Sequence, residues 1–460
     1  MVEALLAFND WLNSIVWGPP FMILLVGTGL YLTIRLGFFQ FTHFGHAWKQ
    51  TFGRFFSKAT EEEGGAITSF QAVASAMAAT IGVGNIAGVS TAIALGGPGA
   101  VFWMWLTALV GMATKYGEAS LGVKYREVDP ETGEISGGVM YYIEKGLGPK
   151  WKPLAIIYGL LAGVAALGIG NMVQANTFAH AFETGFGVPP WISGIIVVIA
   201  TGLVTLGGIK RIAMTAERIV PFMAIVYIIG SLIIIFMNIS NLGWAFGQIF
   251  YYAFNPMAAT GGFAGAGVAA AIRFGIARGI FSNEAGLGAA SIVHAQAKNT
   301  PVRQGMWGMW ETFIDTIVIC TMTSLVIILT GVITTGTTGA ELASTAFSRG
   351  LPGPGGVIVL IGLILFSYTT MLTWNFYGEK SWEYIFGKGI VVPYRLLFLA
   401  FLFVGAIGGL VLIWDIADTL NGLMAAPNLI ALLVLATILT KDKKDYVDDL
   451  KKKLYTKQKI

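Results

Sequence analysis

Long apolar runs constrain this chain more than any other feature of its sequence. A helix needs about 20 consecutive apolar residues to cross a bilayer, and eleven runs of that kind can be read along the 460 residues. They cover residues 16–36, 66–97, 98–121, 153–182, 190–208, 219–238, 268–297, 305–331, 355–386, 391–413 and 419–440. Only 12% of the residues are charged, against about 25% in ordinary soluble domains. The sequence therefore predicts an all-α polytopic membrane protein with eleven transmembrane helices.

The basic residues fall on one side of the predicted membrane. When the loops and the adjoining span ends are assigned alternately to the two sides, one side receives all 29 lysines and arginines except Arg273, Arg278 and Arg349. Such an excess marks the cytoplasmic side of membrane proteins. We therefore expect a multi-pass protein of the cell membrane with its amino terminus outside and its carboxyl terminus in the cytoplasm. The lysine-rich end after residue 440 can touch anionic lipid, although a solvated tail is the simpler interpretation.

The order of the runs predicts an internal repeat. Setting the first run aside leaves two groups of five that start on opposite sides of the membrane. Each group opens with a run that glycines interrupt, at residues 80–88 and 278–288. Interrupted segments in matching places of two inverted halves indicate the central site of a transporter, whereas glycines in one run alone can simply allow close helix packing. The predicted domains are an extra amino-terminal helix and loop (1–65), two inverted repeats (66–240 and 241–440) and a basic cytoplasmic tail (441–460).

The chemistry of a broken helix suits a small zwitterion. The half-helix that starts at the break directs its free N–H groups and positive dipole end toward a carboxylate, while the half-helix that ends there exposes carbonyls to an ammonium or sodium ion. The candidate carboxylate-binding residues are Gly82, Val83 and Gly84. The candidate cation ligands are the carbonyls of Ala78, Thr80 and Ile81, and the side chain of Asn85 could serve either ligand. From the second break we expect Ile280, Phe281 and Ser282 near the substrate and Asn283 near the cation.

Residues 96–111, with the sequence GGPGAVFWMWLTALVG, resemble the signature of the alanine/glycine:cation symporter family. The resemblance extends over essentially the whole chain and includes the segment SNEAG at 282–286. It implies sodium-coupled carriage of alanine and glycine, and the leucine-transporter-like fold of five plus five inverted helices. The signature itself is expected to form the tight turn between the second and third spans, with Trp103 and Trp105 in an aromatic belt at the membrane interface.

The resemblance also implies positions for the cation and for the walls of the pocket. In the ninth run, the carbonyl of Phe366 and the hydroxyls of Thr369 and Thr370 would face Ala78 and Ile81, with Ser367 or Thr373 as substitutes if the register differs. Such hydroxyls can instead bond back to their own helix.

In the fourth run, Gln174 and Phe178 share a helix face and would contact the substrate, with Asn171 on nearly the same stripe. Trp374 would close the pocket beside Thr370. Interhelical hydrogen bonding is the competing interpretation of these polar residues.

Ionisable residues within the runs require partners, because charge in a membrane interior is costly. Glu311 and Asp315 lie one turn apart in the eighth run. Charge balance alone suggests an Arg278–Asp315 or Arg278–Glu284 ion pair, either as a gate or as a structural link.

The sequence predicts a secondary transporter that brings small neutral amino acids into the cell with sodium by alternating access. L-Alanine is the expected substrate, with D-alanine and glycine as further candidates, and Na⁺ is the expected coupling ion. Membrane lipid is the only other partner expected, and no cofactor or nucleic acid is. Proton coupling through Glu284 or Asp315 is the alternative, and a channel is a weaker one. An enzyme is not expected, because no nucleophile–base pair, phosphate-binding loop or metal-ligand spacing can be found.

Overall fold

The computed structural model describes residues 2–54, 64–408 and 411–458, and this part of the chain is mostly helical. The predicted loop residue Lys58, the tail residue Lys459 and positions 409–410 of the tenth run lie outside the described residues. Two short strands, Glu127–Val128 and Ile135–Ser136, form an antiparallel hairpin.

Most of the long helices fall within the predicted apolar runs, whereas Val2–Val16, Leu242–Tyr252 and Gly339–Gly350 are helices that the runs did not predict. The α-helices of ten or more residues are Val2–Val16, Pro19–Arg35, Ser69–Thr80, Ala100–Lys124, Lys152–Leu167, Val173–Phe186, Pro190–Thr205, Gly208–Met237, Leu242–Tyr252, Val268–Asn283, Pro301–Thr312, Thr321–Thr330, Gly339–Gly350, Pro354–Phe386, Val391–Ile407, Val411–Leu423 and Ala425–Gln458. The shorter α-helices are Phe39–Thr42, Phe44–Gln50, Val89–Gly96, Val139–Tyr141 and Ala290–His294. The π-helical turns are Gly84–Gly88, Tyr142–Leu147, Gly168–Met172 and Phe313–Cys320, and the 3₁₀ turns are Phe52–Arg54, Pro149–Trp151, Ile239–Asn241, Val332–Thr335 and Lys388–Ile390.

Seven helices of the described chain are long and apolar enough to cross a membrane, and an eighth is obtained if the bent pair Ser69–Thr80 and Gly84–Gly96 counts as one span. Predicted spans 98–121, 190–208 and 268–297 are helical as well. The helix Ala100–Lys124 is long enough but not apolar enough, and the helices Pro190–Thr205 and Val268–Asn283 are too short. The protein is thus a multi-pass membrane protein, and the number eleven and the inverted repeat stay predictions. The last helix continues through the predicted tail to Gln458.

The helix Ala100–Lys124 lies at the centre of the molecule, and its residues from Gly111 to Val123 are buried. Small residues let its neighbours approach closely, as expected where helices pack without a hydrophobic driving force. A methyl group on Gly308 would lie 2.7 Å from the carbonyl oxygen of Lys115, and one on Gly279 would lie 2.6 Å from the hydroxyl of Thr107. The central helix therefore holds both the second interrupted run and the helix Pro301–Thr312 in place.

The signature motif forms the turn before this central helix, as the sequence predicts. Gly97 has φ +70°, a conformation that favours glycine. The indole of Trp103 donates a hydrogen bond of 3.1 Å to the carbonyl of Ala253, and the indole of Trp105 donates one of 2.8 Å to the hydroxyl of Thr321. The motif thus fixes the turn against a neighbouring loop and helix. Its last residue lies beside the second break, since a methyl group on Gly111 would lie 2.9 Å from the Cβ of Ala285.

Candidate functional site

The first interrupted run is broken as predicted. We call Ser69–Gly96 the first broken segment; its two halves meet at an angle of 49°. The first helix ends at Thr80, Ile81 takes φ −77° and ψ 82°, and the chain re-enters a helix through the π-helical turn Gly84–Gly88. The N–H of Gly82 donates to the Asn85 side-chain oxygen at 2.9 Å. The side chain of Asn85 thereby supports the break from within.

The second interrupted run is also broken, and we call Val268–His294 the second broken segment. Its first helix ends at Asn283, and Glu284 follows with φ +54°. The carboxylate of Glu118, on the central helix, accepts hydrogen bonds from the N–H groups of Gly286 at 2.9 Å and Gly288 at 3.1 Å. Asn428 donates to the same carboxylate at 2.7 Å. Side chains of two other helices thus satisfy the backbone of this break.

The two broken segments meet inside the protein. A methyl group added to Gly84 would lie 3.2 Å from the Cα of Ser282 and 3.3 Å from the ring of Phe281. Such a close approach of two backbones requires glycine on one side. Gly84 and Ser282 are both buried, so the junction lies inside the protein and does not face lipid. The two breaks therefore converge, as predicted.

Asp315 links both breaks. Its carboxylate accepts hydrogen bonds from the amide of Asn85 at 2.6 Å, the hydroxyl of Ser282 at 2.9 Å and the hydroxyl of Thr316 at 2.7 Å. All four side chains are buried, and Asp315 lies in the π-helical turn Phe313–Cys320. Asn283 extends the network by donating to the Thr316 hydroxyl at 3.1 Å. Three donors can hold a carboxylate in place without a basic side chain.

A cavity of about 20 Å³ lies beside this junction. Its lining includes seven residues predicted for the substrate: Gly82, Val83, Gly84, Gln174, Phe281, Thr370 and Trp374. Ala79, Thr80, Ile169, Glu284 and Asn421 complete the lining. Trp374 forms one wall, and its indole donates to a carboxylate oxygen of Glu284 at 3.0 Å. Residues from both broken segments and from three further helices thus meet around one small space.

The other residues predicted for the substrate lie elsewhere. Asn85 and Ser282 bond to Asp315, as described above. The ring of Phe178 stacks on Phe182 with centroids 4.7 Å apart, Ile280 packs in the apolar core, and none of the four lines the cavity. Asn171 donates to the carbonyl of Phe398 at 2.7 Å, which matches the competing interpretation of interhelical bonding.

The residues predicted for the cation divide into two groups. The hydroxyl of Thr370 donates to the carbonyls of Phe366 at 2.8 Å and Ala78 at 3.0 Å, so these three oxygens converge between helix Pro354–Phe386 and the first broken segment. The Thr369 hydroxyl turns toward Met223 and bonds the carbonyl of Leu365 in its own helix at 3.0 Å.

The alternative positions in this helix and the remaining cation candidates can also be placed. Ser367 bonds its own helix at the carbonyl of Leu363, while Thr373 donates to the carbonyl of Ser75 at 3.0 Å. Asn283 belongs to the Asp315 network. The carbonyl of Thr80 accepts the N–H of Gly82 at 2.9 Å, and Ile81 carries the irregular backbone of the break.

The predicted ion pair of Arg278 is wrong. Within the described residues neither Asp315 nor Glu284 is ion-paired with it; the guanidinium lies 5.5 Å from the ring centroid of Phe281. Instead Lys115 pairs with Glu311 at 2.8 Å, and Glu311 also contacts His294 at 3.1 Å, all fully buried. Charge balance alone could not identify these pairs, because hydrogen-bond donors satisfy Asp315, and Lys115, which the sequence assigns to the cytoplasmic end of the third run, lies inside the bundle.

The residues that sequence reasoning missed are Glu284 as a cavity residue, Asn421, Glu118 and Asn428. Glu284 did carry a signal, because an acid beside the glycines of a broken apolar run is costly without a role. Asn421 lies on helix Val411–Leu423, where a single amide in an apolar run gives no indication of the face it occupies.

A second cavity, of about 700 Å³, lies on the side of the molecule where the basic loops meet. Its lining includes Lys210, Lys298, Lys380, Lys388 and Arg395, which agrees with the assignment of these loops to one side. The hairpin closes part of it through the ion pair Lys388–Asp129 at 2.7 Å. The hydrogen bond from Lys388 lowers the pKa of Asp129, and the same contact raises the pKa of Lys388.

Comparison with known proteins agrees with this geometry. The family model described as "Sodium:alanine symporter family" matches residues 2–460. The chain is 49% identical over 441 residues to the sodium/alanine symporter AgcS of Methanococcus maripaludis, covering 94% of this chain and 95% of that protein. It is 47% identical to an uncharacterized transporter of Haemophilus influenzae, covering 100% and 99% of the two chains. The crystal structure of MhsT in complex with L-phenylalanine superposes with a TM-score of 0.56 at 13% identity, covering 82% and 98%; this likeness shows a shared fold.

Proposed function

The chain belongs to the sodium:alanine symporter family, and we propose that it carries small neutral amino acids, alanine and glycine, into the cell together with sodium. Its family and its fold are those of a transporter and not of an enzyme. The observation that carries the proposal is the small cavity between two broken segments. Exposed peptide groups at such breaks can replace the water around a zwitterion and its ion.

The carboxylate of the substrate would bind at the start of the second half of the first broken segment. Gly82, Val83 and Gly84 line the cavity there. The N–H of Gly82 already donates to Asn85, so Val83 and Gly84 would supply the N–H groups, because the first N–H groups of a helix have no partner within it. These groups and the positive end of the helix dipole favour an anion. The absence of side chains at the two glycines allows the anion to approach the backbone.

The size of the cavity favours small amino acids. A volume of about 20 Å³ has room for roughly one water molecule, so even alanine requires that the lining side chains move apart. Trp374 and Ile169 form bulky walls, and every further methylene of the substrate needs more displacement. One methylene changes discrimination by only ~1–3 kcal/mol, so we expect a graded preference for glycine and alanine over larger side chains.

The coupling ion would bind where Ala78, Phe366 and Thr370 converge. Hard cations take carbonyl and hydroxyl oxygens as ligands, and in this structure the Thr370 hydroxyl donates to both carbonyls. A sodium ion between them would require the hydroxyl proton to turn away. The ion would then tie helix Pro354–Phe386 to the first broken segment, close to the cavity that Thr370 also lines.

We further propose the inverted five-plus-five repeat, with its domain limits at residues 65, 240 and 440, and the orientation with the amino terminus outside. The excess of basic residues on one side supports the orientation. The break that opens each half supports the repeat. Alternating access would open the cavity first toward the outside and then toward the side of the basic loops.

The test is uptake of radiolabelled alanine by liposomes that contain the purified protein, with the ion gradient as the only variable. We expect accumulation under an inward sodium gradient and none with potassium in its place. Accumulation that follows a proton gradient without sodium would instead favour a proton-coupled carrier, for which Asp315 is buried without a basic partner. Flux that never exceeds equilibration would favour a channel.

A further inference from the structure

We propose that the side-chain oxygens of Glu284, Gln174 and Asn421 form the binding subsite for the ammonium group of the substrate, an inference that rests on the proposed function. We call these three side chains the acceptor cluster. They come from three different parts of the fold: the second broken segment, helix Val173–Phe186 and helix Val411–Leu423. All three line the same cavity of about 20 Å³.

Each member of the acceptor cluster has a buried oxygen without a hydrogen-bond partner. These atoms are Oε2 of Glu284, Oε1 of Gln174 and Oδ1 of Asn421. The side chains are only 4%, 4% and 1% exposed, respectively. Most buried polar side-chain atoms in native proteins are paired, so three unpaired acceptors around one cavity indicate a ligand that donates hydrogen bonds.

Neighbouring contacts fix two of these side chains. The indole of Trp374 donates to Oε1 of Glu284 at 3.0 Å, and Nε2 of Gln174 donates to the carbonyl of Ile169 at 3.0 Å. Because a carbonyl can pair only with the nitrogen of the amide, Gln174 must keep its oxygen free. The free oxygens of Glu284 and Gln174 are therefore held in place before any ligand arrives.

The chemistry of the acceptor cluster matches a primary ammonium. Such a group has three N–H donors and a positive charge, and it offers no acceptor. Three acceptor oxygens would satisfy its donors, and the carboxylate of Glu284 would balance its charge through a charge-assisted hydrogen bond. With the substrate carboxylate at the N–H groups of Val83 and Gly84, the zwitterion would lie across the cavity. The substrate class is then α-amino acids, and hydroxy acids and simple carboxylates should bind more weakly.

The experiment measures the affinity of the purified full-length protein for L-alanine and, by competition, for L-lactate, which has a hydroxyl in place of the ammonium. Glu284→Gln keeps the shape of the side chain and removes its charge. We expect this variant to bind alanine at least about tenfold more weakly, while its affinity for lactate stays within about threefold of the wild-type value. Asn421→Ala should cause a smaller loss, again confined to alanine.

Glu341→Gln, at an exposed position on the short helix Gly339–Gly350, is the matched control and should change neither affinity. The subsite is overturned if Glu284→Gln binds alanine as the wild type does, or if it loses alanine and lactate equally. If Glu284→Gln does not fold, Asn421→Ala and Gln174→Leu decide in the same way. A wild-type protein that binds neither alanine nor glycine would overturn the proposed function itself.

Discussion

The amide of Asn85 donates a hydrogen bond of 2.6 Å to the carboxylate of Asp315, and this bond connects the first broken segment to the helix Pro301–Thr330. The same Asn85 side chain accepts the N–H of Gly82 at 2.9 Å. On the other side of Asp315, Ser282 donates from the second broken segment at 2.9 Å. One buried carboxylate therefore sets the relative position of both breaks, and the cavity beside them depends on it.

Replacing Asp315 with asparagine should reduce transport strongly. In the variant, an amide nitrogen replaces one carboxylate oxygen and cannot accept hydrogen bonds from Asn85, Ser282 or Thr316. Each hydrogen bond lost to a charged acceptor costs about 1.5–3 kcal/mol. We expect alanine uptake by proteoliposomes to fall by about tenfold or more. Uptake that stays near the wild-type rate would show that the link between the breaks is dispensable.

Exchanging the two residues provides the control for this prediction. In the double variant Asn85→Asp/Asp315→Asn, the carboxylate at position 85 can accept from Gly82 and from the new amide at position 315. The donor–acceptor pattern between the two positions is then restored, and part of the lost uptake should return. Two independent losses that simply add would contradict the coupling.

The network around Asp315 shows what sequence reasoning could not provide. The cost of burying a charge predicted a partner, and counting charges indicated Arg278. In the fold, hydrogen-bond donors from Asn85, Ser282 and Thr316 satisfy the carboxylate, and donors of this kind can stabilise a buried anion without a cation. Which donors reach it depends on how three helices pack, and the sequence of one helix does not contain that information.

The buried pair Lys115–Glu311 leads to a second prediction. Both side chains are 0% exposed and 2.8 Å apart. Lys115→Met would leave the Glu311 carboxylate buried with only His294 and should destabilise the fold by about 3–5 kcal/mol. Thermal unfolding in detergent measures the effect. The double variant Lys115→Met/Glu311→Met should recover most of the loss, because no uncompensated charge then remains.

The surface pair Lys124–Asp442 serves as the comparison for this measurement. Its side chains are 32% and 21% exposed at a separation of 2.7 Å, and exposed pairs contribute only about 0–1 kcal/mol. Lys124→Met should therefore leave the unfolding temperature nearly unchanged. Equal destabilisation by Lys124→Met and Lys115→Met would mean that burial does not decide the strength of the pair.

The part of the cavity that could be predicted is the part that depends on local sequence. Glycines at 82 and 84 break the first helix within one segment, and helical periodicity places Thr370 and Trp374 on one face of theirs. Phe178 shares the face of Gln174 by the same rule, yet it lies one turn farther along and packs on Phe182. Asn421 reaches the cavity because the helix Val411–Leu423 packs against the π-helical turn Gly168–Met172. No local sequence pattern predicts that packing.

Gly170 should be needed for the position of Trp374. A methyl group on Gly170 would collide with the indole ring, which would displace the ring and break its hydrogen bond to Glu284. We expect Gly170→Ala to lower alanine affinity by about tenfold, measured by calorimetry on the purified protein. Gly247→Ala is the matched control: nothing lies within 4 Å of the added methyl group, and this helix should gain about 0.5–1 kcal/mol.

Thr370 and Thr369 are adjacent and differ in where their hydroxyls point, which makes them a matched pair for testing the sodium site. Thr370 donates to the carbonyls of Ala78 and Phe366, whereas Thr369 bonds within its own helix, at the carbonyls of Leu365 and Phe366. Valine preserves the shape of threonine and removes the hydroxyl. We expect Thr370→Val to raise the sodium concentration for half-maximal uptake by about tenfold, because one of three converging oxygens is lost.

Thr369→Val should leave that concentration within about twofold of the wild-type value, since its hydroxyl does not face the first broken segment. Uptake of radiolabelled alanine, measured against sodium concentration at saturating alanine, distinguishes the two variants. An equal sodium requirement in both would place the ion elsewhere and leave the Thr370 hydroxyl as a purely structural link between helix Pro354–Phe386 and Ala78. A loss confined to Thr370→Val would show that the coupling ion binds where the two segments meet.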